Sequence, residues 1–102
     1  MAFENQINEI SNVDVVFEEP PLFKVILLND DFTTKEFVVE VLMKVFHKSE
    51  SEAIMVMESV HKNGRGIAGI YVYDIAATRA QMTMKRARDA GFPLKCILER
   101  KD

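Results

Sequence analysis

The stretch PPLFKVILLNDDFTTKEF, Pro20 to Phe37, decides how the chain is read. Two prolines, which cannot donate to a β-ladder, lead into the apolar run Leu22–Leu28, and Asn29, Asp30 and Asp31 close it. A short β-branched run between turn formers predicts a strand, with Phe23, Val25 and Leu27 on one face. Thr33-Thr34-Lys35-Glu36 matches a capping box, in which the Thr33 hydroxyl accepts from the third helical N–H and Glu36 reaches back to the Thr33 amide. A helix is therefore expected from Thr34. Its apolar residues Phe37, Val38, Val41, Leu42 and Val45 recur at helical spacing and carry it to Phe46 or His47.

The rest of the chain extends this pattern. Ser49-Glu50-Ser51-Glu52 is a second capping box, opening a helix with Ala53, Val56, Met57 and Val60 on one stripe and Gly64 as its stop. Ile67–Tyr73 predicts a second strand, and Asp74 is placed to cap a third helix over Ile75–Ala90 that ends at Gly91. Leu94–Glu99 supplies a third strand. The order β-α-α-β-α-β predicts a small α+β domain: one three-stranded antiparallel sheet packed against three helices.

Charge divides the chain at Pro20-Pro21. Upstream stand Glu4, Glu9, Asp14, Glu18 and Glu19 without a Lys or Arg, so residues 1–21 are expected to be a flexible acidic extension and residues 22–102 the folded core. At 102 residues, with 48% apolar and 28% charged, this is one globular domain. No apolar segment is long enough for a membrane span and the start lacks a signal-peptide pattern, so a cytoplasmic address is expected. The lone Cys96 has no partner for a disulfide or a zinc motif and is read as a small core residue.

Several chemistries fail on missing parts. Counting twelve positions from Asn29 puts Asn29, Asp31, Thr33 and Glu40 where a calcium loop has ligands, but the sixth position is Thr34 instead of the required glycine. One histidine, His61, and two adjacent aspartates are too few for a catalytic zinc, and no nucleophile is paired with a base. No metal, cofactor or catalysis is expected. Arg79, Lys85, Arg86 and Arg88 make the third helix basic, yet with a sequence pI near 5.4 the footprint for nucleic acid is weak. Binding of a cation by Asn29, His61 and a carboxylate beside an apolar hollow remains, next to the plainer reading of His61 as a helix-end residue bonded to backbone.

The blocks KVILLNDDFTTKEFVVEVLMKVF, MVMESVHKNGRGIAGIYVYDIAATRA and PLKCILE, in order over residues 22–100, resemble ClpS, the bacterial adaptor that hands N-degron substrates to the Clp unfoldase and protease. The resemblance implies a ligand: the free N-terminus of a protein whose first residue is Leu, Phe, Tyr or Trp. It implies that Asn29 and His61 accept from the ligand's α-amino group, with Asp30 and Asp31 as the paired acids beside it. Thr33, Val38, Met57, Val60 and Leu94 match positions lining the side-chain pocket. Asp74 and Arg79 match contacts to the N-terminal domain of the unfoldase, and residues 1–21 match an extension that engages it during delivery. A monomer is expected. The family commonly reads N-D-D-Y-T-P-M-E-F, whereas this chain has Phe32, Thr34 and Lys35 in place of the Tyr, Pro and Met. That Met shapes the pocket mouth against β-branched first residues, so Lys35 implies a changed rim. The same architecture also resembles the C-terminal domain of a ribosomal stalk protein, a non-catalytic interaction domain without N-terminus recognition.

Overall fold

The computed structural model describes residues 18–102; most of the expected acidic extension, residues 1–17, lies outside the described residues. The elements follow the predicted order: β1 (Leu22–Leu28), α1 (Lys35–Lys44), α2 (Glu50–Asn63), β2 (Arg65–Val72), α3 (Tyr73–Ala90) and β3 (Lys95–Lys101). The sheet is antiparallel throughout, in the order β2-β1-β3.

β1 lies at the centre of the sheet, which is why its hydrophobic run is nearly continuous. Val25 and Leu27 are fully buried and join the core with Val41, Leu42, Val45 and Ala53, while Phe23 packs against that core. Ile26 points the other way. It is buried all the same, because it is flanked by Ile67 of β2 and Ile97 of β3 on the outer face of the sheet. One residue of β2 has no opposite number: Gly69 faces Val25 and Ile67 faces Ile26, leaving Ala68 between them. This bulge keeps Ile67 and Ile70 on the same outer face although they are three apart, a spacing that would separate them in a regular strand.

Several boundaries differ from those expected, among them the starts of β2, at Arg65 instead of Ile67, and of β3, at Lys95 instead of Leu94. The cap of α1 is Thr34, whose hydroxyl accepts from the Phe37 N–H at 3.1 Å, and the helix begins one residue later. Thr33 was the expected cap, but its hydroxyl and its N–H both go to Asp30. α1 also stops at Lys44, followed by a turn in which His47 takes a φ of 56°. Tyr73 begins α3 instead of ending β2, and Asp74 does not cap that helix: the N-cap is Val72, without a side-chain bond. The physical reason is the partner strand, since Leu22 opposite Val72 is the first residue of β1, directly after Pro21, and a proline offers no N–H to continue the ladder. β3 runs on to Lys101, paired with Leu22. The second capping box is formed as expected, with Ser49 and Glu52 bonded reciprocally.

Cys96 is buried and its Sγ lies 3.5 Å from the Ala80 carbonyl oxygen. Burial pushes its thiol up to about 11. Arg79 ties α3 to the end of α1, donating to the Val45 carbonyl at 2.6 Å and to His47 Nε2 at 3.1 Å, with its guanidinium 5.9 Å from the Tyr71 ring centroid.

Candidate functional site

The site forms where the end of β1 meets the end of α2. The Asn29 N–H donates to the Gly64 carbonyl at 3.0 Å, fastening the first strand to the turn after α2. Gly64 takes a φ of 86°, a left-handed conformation that a side chain would disfavour by about 1 kcal/mol. This tie sets Val60 and His61, in the last turn of α2, beside the loop from Asn29 to Thr34.

Asp30 organises that loop. Its Oδ1 accepts from the Phe32 N–H at 2.8 Å and the Thr33 N–H at 2.6 Å, and its Oδ2 accepts from the Thr33 hydroxyl at 2.7 Å. Burial acts to raise the carboxyl pKa, but the three hydrogen bonds from Thr33 and Phe32 together outweigh it and hold the group below its ordinary 3.8. Asp31 differs from its neighbour. It is exposed, and among the described residues its carboxylate takes part in no hydrogen bond or ion pair.

A hollow of about 490 Å³ opens at this junction. Its polar members include Asn29, Asp30, Asp31, Thr33, Lys35 and His61, and its apolar walls are Val38 of α1 with Met57 and Val60 of α2. Nine of the residues singled out from the sequence are thus brought together. Leu94 is not among those bordering this hollow; it is 3% exposed and adjoins a separate, smaller one with Met84, Phe92 and Pro93. Asp74 and Arg79 also lie elsewhere, Asp74 beside Pro20, Pro21 and Tyr73, and Arg79 against Val45 and His47. Phe32, Thr34 and Glu36 border the hollow and were not expected there. Phe32 is 76% exposed, uncommon for an aromatic ring, and its place between Asp31 and Thr33 in a polar loop is the signal in the sequence that could have found it.

A second hollow, about 480 Å³, lies between α2 and β2 and is lined by Met55, Val56 and Ile67. Its one charged wall residue, Arg65, is paired with Glu99 at 2.7 Å, so it offers apolar surface without a set of free acceptors. The first hollow has both. An amide oxygen, an imidazole nitrogen and an uncommitted carboxylate are groups able to accept hydrogen bonds from a cation, and the walls beside them are apolar. Among the described residues no cluster of three His, Cys, Asp or Glu side chains could hold a metal ion, and Glu40, the would-be twelfth calcium ligand, is paired with Lys44 at 2.7 Å. No helix of the described residues is long and apolar enough to cross a membrane.

Comparison with known proteins defines the class. The family model described as "ATP-dependent Clp protease adaptor protein ClpS" matches residues 18–97, which makes this domain a protease adaptor. The chain is 52% identical over 97 residues to the ATP-dependent Clp protease adapter protein ClpS of Wolinella succinogenes, covering 95% of this chain and 91% of that one. It is 54% identical over 98 residues to the Clostridium acetobutylicum adapter of the same name, covering 96% and 97%. The solved structure of Agrobacterium tumefaciens ClpS2 bound to L-phenylalaninamide superposes with a TM-score of 0.78 at 41% identity, over 81% of this chain and 100% of that one. The chain belongs to the ClpS family.

Proposed function

We propose that the chain binds the free N-terminus of other proteins whose first residue is large and hydrophobic, Leu, Phe, Tyr or Trp. It then delivers them to the N-terminal domain of the Clp AAA+ unfoldase for ATP-dependent degradation. The observation that carries this reading is the placing of Asn29, Asp31 and His61 around one hollow with Val38, Met57 and Val60. A peptide N-terminus is an ammonium joined to the same carbon as its first side chain, so its site must set acceptors directly beside apolar walls. An ammonium drawn from water without acceptors costs several kcal/mol. Here the Asn29 carbonyl and a His61 nitrogen accept its N–H groups, and Asp31 supplies the opposite charge. Asp30 already accepts three hydrogen bonds within its loop, which leaves Asp31 as the acid turned to the ligand.

The Agrobacterium tumefaciens ClpS2 structure is described as bound to L-phenylalaninamide. That molecule has a free α-amine, a benzyl side chain and an amide where a peptide would continue, so it supports the same chemistry for this hollow. Thr33 and Lys35 border the hollow, and Leu94 belongs to the common core without bordering it. Asp74 and Arg79 lie away from the hollow, which suits a surface for the unfoldase that stays free while a ligand is held. The acidic extension engages the unfoldase during delivery, and the adaptor works as a cytoplasmic monomer.

The test is a titration of fluorescent peptides beginning with Leu or Phe, each with a free and with an acetylated N-terminus, with and without chelator. Acetylation removes the charge and two of the donors; at about 1.5 kcal/mol for each hydrogen bond to a charged group, the loss is about 3 kcal/mol, on the order of 100-fold. Equal binding of free and acetylated forms would overturn the reading, and binding that a chelator abolishes would point to a metal instead.

A further inference from the structure

Lys35 stands out among the charged residues of the hollow. It is the first residue of α1, it is exposed, and it borders the same hollow as the carboxylates of Asp30, Asp31 and Glu36. Among the described residues Lys35 makes no ion pair, whereas Lys44, Lys62 and Lys85 are each paired with an acid one helical turn away. The residue one turn after Lys35 is Val39, which offers it no charge. Its position brings no return to the helix either. The first turn of a helix carries the positive end of the macrodipole and favours Asp or Glu, so a lysine at this place is electrostatically unfavourable to α1. The ammonium is therefore a cation committed to no ion pair, at a hollow whose other charged groups are acidic.

We infer that Lys35 reads the second position of the bound N-terminus, selecting an acidic residue there; this rests on the N-terminus reading of the hollow given above. With the α-ammonium among Asn29, Asp31 and His61 and the first side chain against Val38, Met57 and Val60, the ligand chain must leave through the open rim. Asp31, Glu36 and Lys35 are the charged residues exposed along that rim. Successive residues of an extended chain advance by about 3.3–3.6 Å, so the second side chain emerges within reach of a long, unpaired lysine. A carboxylate at that point meets the Lys35 ammonium and the positive end of α1 together. A lysine or arginine there meets the same two positive groups. Without Lys35 the rim would carry only acids, and an acidic second residue would be repelled. The substrate class so defined is a large hydrophobic first residue followed by Asp or Glu.

The experiment compares four peptides identical beyond their second residue: Leu-Glu, Leu-Gln and Leu-Lys with free N-termini, and N-acetylated Leu-Gln. Each is titrated against the full chain, the Lys35→Met variant and the Lys35→Glu variant, at low and at high salt. An exposed pair of this kind changes affinity by up to about fivefold. The wild-type chain is expected to bind Leu-Glu two- to fivefold more tightly than Leu-Gln at low salt, with Leu-Lys weakest. The preference is expected to vanish in Lys35→Met, to reverse in Lys35→Glu and to shrink at high salt. Because Lys35 is exposed, unpaired and unfavourable to the first turn of α1, neither variant should melt below the wild-type chain, which separates any loss of preference from loss of folding. If free Leu-Gln binds far more tightly than its acetylated form but the Leu-Glu to Leu-Gln ratio is the same in wild type and Lys35→Met, the inference fails while the N-terminus reading stands. If the acetylated peptide binds equally well, both fail.

Discussion

The two aspartates of the loop should separate into a structural and a ligand-binding residue when each is replaced by alanine. Asp30→Ala removes three hydrogen bonds at 2.6 to 2.8 Å that close the turn from Asp30 to Thr33. A fully buried bond to a charged acceptor is worth about 1.5–3 kcal/mol, but this loop is part-exposed and water takes over some of the freed donors. A helix-cap deletion, which costs about 0.5–2 kcal/mol, is the nearer guide. We therefore expect Asp30→Ala to lose about 1–2 kcal/mol, lowering the melting temperature of a domain of this size by roughly 5–15 °C. Asp31→Ala removes no internal bond and should stay within about 0.5 kcal/mol of the parent, while weakening a Leu-initiated peptide roughly tenfold, or about 1.4 kcal/mol. Thermal melts followed by circular dichroism and peptide titrations by fluorescence anisotropy read the two effects independently. The pH dependence adds a further check. Because the folded-state pKa of Asp30 lies below its ordinary 3.8, its contribution is present above that value and is lost as pH falls through the lowered one. The gap in melting temperature between parent and Asp30→Ala should accordingly close in strong acid. An Asp31→Ala protein that melts as low as Asp30→Ala, or an Asp30→Ala protein as stable as the parent, would refute the division.

Three other outcomes are expected. Lys35→Met should sharpen selection of Leu over Ile and Val as the first residue, measured as the ratio of their peptide affinities; an unchanged ratio would rule out a specificity role for the rim in first-residue choice. Gly66→Ala places a methyl group 2.8 Å from Val60 Cγ2 and 3.0 Å from the Val56 carbonyl oxygen, an overpacking expected to cost about 1–3 kcal/mol by urea denaturation. It should also weaken peptide binding, since Val60 is a wall of the hollow. Cys96 should alkylate slowly in the folded protein and rapidly in denaturant; because burial raises its folded-state pKa from 9.0 to about 11, the unfolded chain releases its proton first, and stability should fall as pH rises from about 9 towards 11.

The legible parts of the fold are those where two local signals coincide. At Ser49 the capping pattern and the apolar stripe of Ala53, Met57 and Val60 begin together, and the helix starts there. At Thr33 and Thr34 two adjacent hydroxyls compete for one role, and the choice was made by Asp30, whose claim on Thr33 depends on a turn that no spacing rule announces. Tyr73 and Asp74 were misplaced because strand propensity says nothing of whether a partner exists, and here the partner strand begins only after Pro21. The last residues of β3, Arg100 and Lys101, are charged and so carry no apolar pattern, yet they pair with Phe23 and Leu22 at the start of β1. In the site, the nearness of Asn29 to His61 rests on the Asn29 to Gly64 bond between residues far apart in sequence, which composition alone does not reveal. The different surroundings of Asp30, with three hydrogen bonds, and Asp31, with none, were equally hidden, since adjacent identical residues diverge only through their partners.

The bulge at Ala68 has a bearing on how the protein survives at high concentration. β2 is an edge strand, and it displays Ile67 and Ile70 at 44% and 40% exposure on the outer face of the sheet. A flat edge of that kind would serve as a template for fibre growth or for sheets that run from one molecule into the next. The extra residue puts the donors and acceptors on either side of Ala68 out of phase, so that a straight incoming strand matches one half of the edge and misses the other. A single inserted alanine thus lets an edge strand carry exposed isoleucines without offering a regular template along its whole length.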